Sequence, residues 1–83
     1  MPSLFRQNVL KVVKSIPRGQ TLTYREVASR AGNSRAARAV GSILKTNFDL
    51  QIPCHRVVRS DGSLGGYNRG MRKKRALLTR ERG

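Results

Sequence analysis

The chain has a single cysteine, Cys54, and a single histidine, His55. No intrachain disulfide can form, and a self-contained zinc site of Cys and His ligands is excluded. Tryptophan is absent, and only 4 acidic residues stand against 18 Lys and Arg, a formal charge of +14. A field of that sign and size attracts polyanions, so nucleic acid is the default partner, bound at a specific site or as by a ribosomal or chromatin-type packing protein. No apolar run approaches the roughly 20 residues of a membrane span, and the N-terminus has none long enough for a signal peptide. An intracellular protein away from membranes is therefore expected. The 83 residues leave room for one small domain, not for a two-lobed enzyme, a Rossmann unit with a separate substrate domain or a large barrel. Hydrophobic residues still make up 37%, more than a disordered basic tail carries, so a folded domain with a basic surface is expected.

Apolar residues at Phe5, Val9, Val12, Val13 and Ile16 have helical spacing, with Ser3 as N-cap and Pro17-Arg18-Gly19 as the stop. Thr21-Leu22-Thr23 is short and β-branched, a strand remnant or wing. Thr23-Tyr24-Arg25-Glu26 matches a capping box and opens a short helix that stops at Gly32-Asn33. Ser34 is expected to cap the next helix, Arg35 to Lys45, whose buried stripe is Ala37, Val40, Ile43 and Leu44. Two short helices across a tight glycine-containing turn, the second with a small and cationic first turn, form a helix-turn-helix pattern. The segment 47–70 is glycine-rich and long for a structureless loop, and such loops are usually functional. Met71 to Arg80 reads as a closing helix. Leu77 and Leu78 face the core, and Arg72, Lys73, Lys74 and Arg75 form a cationic block that is either solvated or in contact with phosphates.

The stretch Ile52-Pro53-Cys54-His55-Arg56-Val57-Val58 carries the chemistry. A thiol nucleophile acts as thiolate and needs a base or a positive field to lower its pKa. His55 and the cationic surface supply both. Neighbours on an extended strand point to opposite faces, so the base would act through a bridging water or after a turn in the chain. A carboxylate that orients the imidazole would complete a relay. Glu26, Asp49, Asp61 and Glu81 are the available carboxylates, and spacing does not choose among them.

These elements resemble the active-site domain of the O6-alkylguanine-DNA alkyltransferases, the methylated-DNA–protein-cysteine methyltransferases. The resemblance runs from Phe5 to about Glu81. It rests on the PCHRV motif at Pro53 to Val57, on Thr23-Tyr24, on Ala36-Ala37-Arg38-Ala39-Val40-Gly41 and on Asn47. Asp61-Gly62, Gly65-Gly66-Tyr67 and Lys74-Arg75-Ala76-Leu77-Leu78, ending in Glu81, continue it without gaps. It implies a mainly α, winged helix-turn-helix-like single domain over residues 1–83, with a short extended segment and an active-site loop, and without the family's N-terminal domain. Phe48 stands where a proline is frequent.

By the same resemblance Cys54 is the alkyl acceptor in a single-turnover reaction, His55 its base through a water, and Glu81 the residue that orients His55. Asn47 braces the active-site turn. Tyr24 donates a hydrogen bond to N3 of a flipped guanine and crowds the flanking phosphate. Arg38 enters the base stack in the minor groove, where Ala36, Ala37 and Ala39 fit the narrow space. Tyr67 and Asn68 line the pocket wall with Val57, and Arg56 pins that wall or contacts the DNA backbone. The implied partner is double-stranded DNA containing O6-alkylguanine, bound by a monomer that needs no cofactor and no metal. A related group of alkyltransferase-like proteins replaces the cysteine and only flags lesions; Cys54 argues against that alternative.

Overall fold

The structure, a computed structural model, describes residues 4–47, 49, 51–61, 63–65, 67 and 69–82. Its elements are helix α1 (Leu4–Lys14), strand β1 (Leu22–Thr23), helices α2 (Tyr24–Arg30) and α3 (Ala37–Lys45), a single 3-10 turn at Cys54–Arg56, strand β2 (Val57–Val58) and helix α4 (Met71–Arg82). The domain is thus mainly helical, with one two-stranded sheet among the described residues.

Helix α1 buries Val9 and Val13, one turn apart on one face. It ends before Pro17, and Ile16 reaches the core beyond the helix through a bond from its amide to Val13 O at 3.1 Å. The expected Ser3 cap lies outside the described residues. Helix α2 begins with the predicted capping box. Thr23 accepts from the Glu26 amide at 3.0 Å, and the Glu26 carboxylate accepts from the Thr23 amide at 2.9 Å. It ends in a Schellman motif: Asn33 N–H bonds Ala28 O, Gly32 N–H bonds Ser29 O, and Gly32 has φ +109°.

The turn into α3 differs from expectation. Ser34 is not the cap. Ala36 occupies that position without a side-chain bond, and the helix starts at Ala37. Asn33 organises the turn instead. Its side chain accepts from the Arg35 amide and its carbonyl from the Ala36 amide, both at 3.1 Å. Val40 and Leu44 are the buried face of α3.

Strand β1 is not a projecting wing. It pairs in parallel with β2, Leu22 opposite Val57 and Thr23 opposite Val58. This register positions the site. Tyr24 follows β1 and Arg59 follows β2, so the pairing brings the start of α2 beside Arg59. Cys54–Arg56 sits immediately before β2 and is anchored by the same pair. Val57 is completely buried and belongs to the core with Val9, Val13, Val27 and Val40, not to a pocket wall as expected. Helix α4 closes the domain with Lys74 and Leu78 as its buried pair.

Candidate active site

Pro53 leads into the 3-10 turn rather than an extended strand. Cys54 N–H bonds Ile52 O at 2.8 Å and Arg56 N–H bonds Pro53 O at 2.9 Å. Successive side chains in such a turn diverge by about 120°. Cys54 and His55 are therefore both buried, and they face different cavities. Asn47, itself buried, donates from Nδ2 to Cys54 Sγ at 3.2 Å. Burial pushes the Cys54 thiol up, and the Asn47 amide with the charges of Arg69 and Lys74 only partly offsets it. The resting group is a thiol, contrary to the expectation of a lowered pKa, and it needs a base to react.

His55 Nε2 lies 2.9 Å from Glu81 Oε2. Arg56 donates to the same carboxylate from Nε (2.9 Å) and Nη2 (2.8 Å), and from Nη1 to Ile16 O at 2.8 Å. These bonds, those of Arg56 above all, hold the Glu81 carboxyl down to about 2. An ionised carboxylate only accepts, so Nε2 carries the proton and Nδ1 keeps its lone pair as the basic nitrogen. Of the four carboxylates available, Glu81 is the one that meets His55. The Arg56 guanidinium bonds Glu81 and Ile16 O, and Arg56 lines the His55 cavity with Tyr67.

Cys54 opens on a cavity of about 440 Å³ between α3 and the start of α2. Tyr24, the α3 residues Ala37, Arg38, Gly41, Leu44 and Lys45, and Arg59 and Tyr67 line it with Cys54. Burial raises the Tyr24 pKa, so it stays a phenol able to donate. Arg38 is exposed on the first turn of α3 at the rim. Tyr67 lines this cavity and also the one that holds His55, and its ring meets the imidazole edge-on at 6.4 Å. Ala36 does not line the cavity, and Asn68 lies outside the described residues.

The sequence reading missed three residues at this site: Gly65, Lys74 and Arg59. Gly65 has φ +72°, and a Cβ there would lie 2.9 Å from Tyr24 Cε2. Only glycine fits both the backbone and the phenol. Gly65→Ala should cost about 1–3 kcal/mol in urea unfolding and slow the site's chemistry by displacing Tyr24.

Lys74 is not part of a solvated cationic block. Arg72, Lys73 and Arg75 are exposed, but Lys74 is completely buried. Its Nζ donates to Val57 O at 2.7 Å and sits 5.9 Å from the centre of the Tyr24 ring. Counting back one helical turn from Leu78 would have found it. Burial pushes its ammonium down to about 8 from 10.5. The unfolded chain then binds more protons between those values, so this group makes stability rise as pH climbs from about 8 to 10.5. In a Cys54→Ser background, which removes the opposing thiol titration, Lys74→Met should abolish that rise in thermal melts across the window.

The site thus joins a buried cysteine on a turn, a His–Glu–Arg network and a cavity lined by α3. The chain belongs to the 6-O-methylguanine DNA methyltransferase family, whose DNA-binding-domain model matches residues 4–83. It is 54% identical over 77 residues to the methylated-DNA–protein-cysteine methyltransferase of Methanothermobacter thermautotrophicus, covering 93% of this chain and 43% of that protein. The human protein of the same name is 42% identical over 80 residues, covering 95% and 39%. The chain thus spans less than half the length of these curated relatives.

Among solved structures, Mycobacterium tuberculosis OGT in complex with DNA superposes with a TM-score of 0.88 at 45% identity, covering 93% of this chain and 48% of that one. S. pombe Atl1, in complex with damaged DNA containing O6-carboxymethylguanine, superposes at 0.84 with 31% identity, covering 93% and 74%. No helix among the described residues is long and apolar enough to cross a membrane.

Proposed function

We propose that this domain repairs DNA by moving an alkyl group from O6 of guanine to Cys54, once per molecule. The observation that carries this reading is the placement of the Cys54 thiol on the wall of a cavity of about 440 Å³ that Tyr24 also lines, with the His55–Glu81 pair on an adjoining cavity that shares Tyr67. A cavity of that size lies within the range of small-molecule sites and is adequate for an extruded purine.

The substituted carbon is inaccessible in a stacked duplex, so the nucleotide must swing out at a cost of a few kcal/mol. Arg38 fills the gap left in the stack, and the +14 charge holds the backbone. His55 Nδ1 takes the thiol proton through a water. Sulfur attacks the alkyl carbon as the C–O6 bond breaks, and the electron pair passes to the guanine ring. Tyr24, donating to N3, stabilises that charge. Guanine ends with the proton that the thiol lost. The thioether has no route back to thiolate, which makes the reaction stoichiometric and balances it without a cofactor. Duplex DNA is the partner of the single domain, and a thiol that must stay reduced suits an intracellular protein.

Mixed with excess alkylated duplex, the protein should restore one guanine in the DNA per molecule and then stop. Arg38→Ala should slow transfer from duplex at least about tenfold more than transfer from the free alkylated base, which needs no flipping. Tight binding of alkylated DNA without any transfer would replace this reading with that of a lesion sensor.

A further inference from the structure

We propose that Arg59 makes the pocket selective for O6 substituents that carry a negative charge, of which carboxymethyl is the smallest transferable one. The inference rests on the alkyl-transfer reading and concerns which alkyl group is favoured. Among the described residues the cavity lining carries three cationic side chains, Arg38, Lys45 and Arg59, and no acid. Arg38 lies on the first turn of α3, the helix assigned to the DNA, whereas Arg59 comes from a different segment, directly after β2. Its aliphatic part runs along the inner wall beside the phenol: a Cβ built on Gly65 would lie 3.3 Å from Arg59 Cγ and 3.0 Å from Tyr24 Oη. The guanidinium charge is felt by Tyr24, which lines the cavity, and by the buried Lys74 beside the Tyr24 ring. Among the described residues the Arg59 side chain has no hydrogen-bond or ion-pair partner. Arg59 is exposed, and a guanidinium that lines a cavity without a protein acceptor is matched to a carboxylate or phosphate oxygen.

The chemistry favours the carboxylate. In a carboxymethyl adduct the carbon under attack bears the anionic group, so an incoming thiolate meets like charge at close range. A cation on the pocket wall offsets that repulsion in the transition state, while a neutral substituent gains nothing from it. The bond changes are those of the simple alkyl reaction. Sulfur bonds to the methylene, the C–O6 bond breaks, and the thiol proton ends on guanine. The carboxylate rides unchanged onto Cys54.

The test compares single-turnover transfer from duplexes carrying O6-carboxymethylguanine or its neutral isostere O6-carbamoylmethylguanine. The native protein should transfer the charged group about fivefold faster, the upper end of the effect expected of one exposed charge pair. Arg59→Gln should bring that ratio to within about twofold of unity, and Arg59→Lys should keep most of it. Because the readout is a ratio within one protein, loss of folded protein cancels. An unchanged ratio in Arg59→Gln, or an equal slowing of both substrates as expected of a phosphate contact, overturns the proposal. Transfer of neither group by the native protein overturns the alkyl-transfer reading itself, and this inference with it.

Discussion

Cys54→Ser should abolish alkyl transfer, by more than about a thousandfold, while leaving affinity for alkylated duplex within about twofold. A serine hydroxyl at this site is a far weaker nucleophile than a thiol, and His55 cannot raise its alkoxide fraction enough to compensate. The fold should tolerate the change. Cys54 is 5% exposed, and a hydroxyl can still accept the bond that Asn47 Nδ2 now gives to sulfur at 3.2 Å. On the proposed reading, binding rests on other residues: Arg38 at the cavity rim, the cationic surface and the pocket itself. Gel-shift titration and single-turnover transfer, run on the same preparation, separate the two effects. Loss of binding together with transfer would mean that the serine had disturbed the turn rather than removed the nucleophile.

Glu81→Ala should have the largest effect on stability. The carboxylate accepts from His55 and twice from Arg56, and its side chain is 9% exposed. Without it the Arg56 guanidinium keeps only Ile16 O, and His55 loses the partner that sets its tautomer. Removing one member of a buried pair costs about 3–5 kcal/mol. Arg56 is 16% exposed and can recover some solvation, so about 2–4 kcal/mol is expected in urea unfolding. Transfer near neutral pH should slow as well, because Nδ1 is no longer held as the basic nitrogen.

Glu81→Gln tests the charge alone. The folded carboxyl sits near 2 against an ordinary 4.5, so its contribution is complete above about pH 4.5 and is lost as pH falls through about 2. The Gln protein should lack that acid-dependent component. A wild-type acid profile in Glu81→Gln would show that the His55–Glu81–Arg56 cluster does not hold the folded domain together.

Local chemistry made parts of this molecule readable in advance. Thr23 and Glu26 close a capping box whose partners are three residues apart, and Gly32 ends the helix it was expected to end. Cys54 and His55 stood out by residue type, while Asn47, Tyr24 and Glu81 were named only through the family resemblance. What remained hidden depends on pairings far apart in the chain. The parallel register of Leu22 with Val57 sets Tyr24 beside Arg59, and no local pattern announces it. That register also draws Val57 into the core and away from the pocket. Arg56 could not be assigned because its partners, Ile16 and Glu81, lie 40 and 25 residues away. Lys74 was misread for a different reason. Four consecutive cations looked like a solvated face, although the helical period from Leu78 already marked position 74 as buried.

The most direct test of the account is the intact mass of the protein after mixing with alkylated duplex, followed by peptide mapping. The account predicts a gain of one alkyl group per molecule, confined to Cys54, with no further gain on adding fresh DNA. A protein that binds the alkylated duplex tightly while Cys54 keeps its free thiol would contradict it.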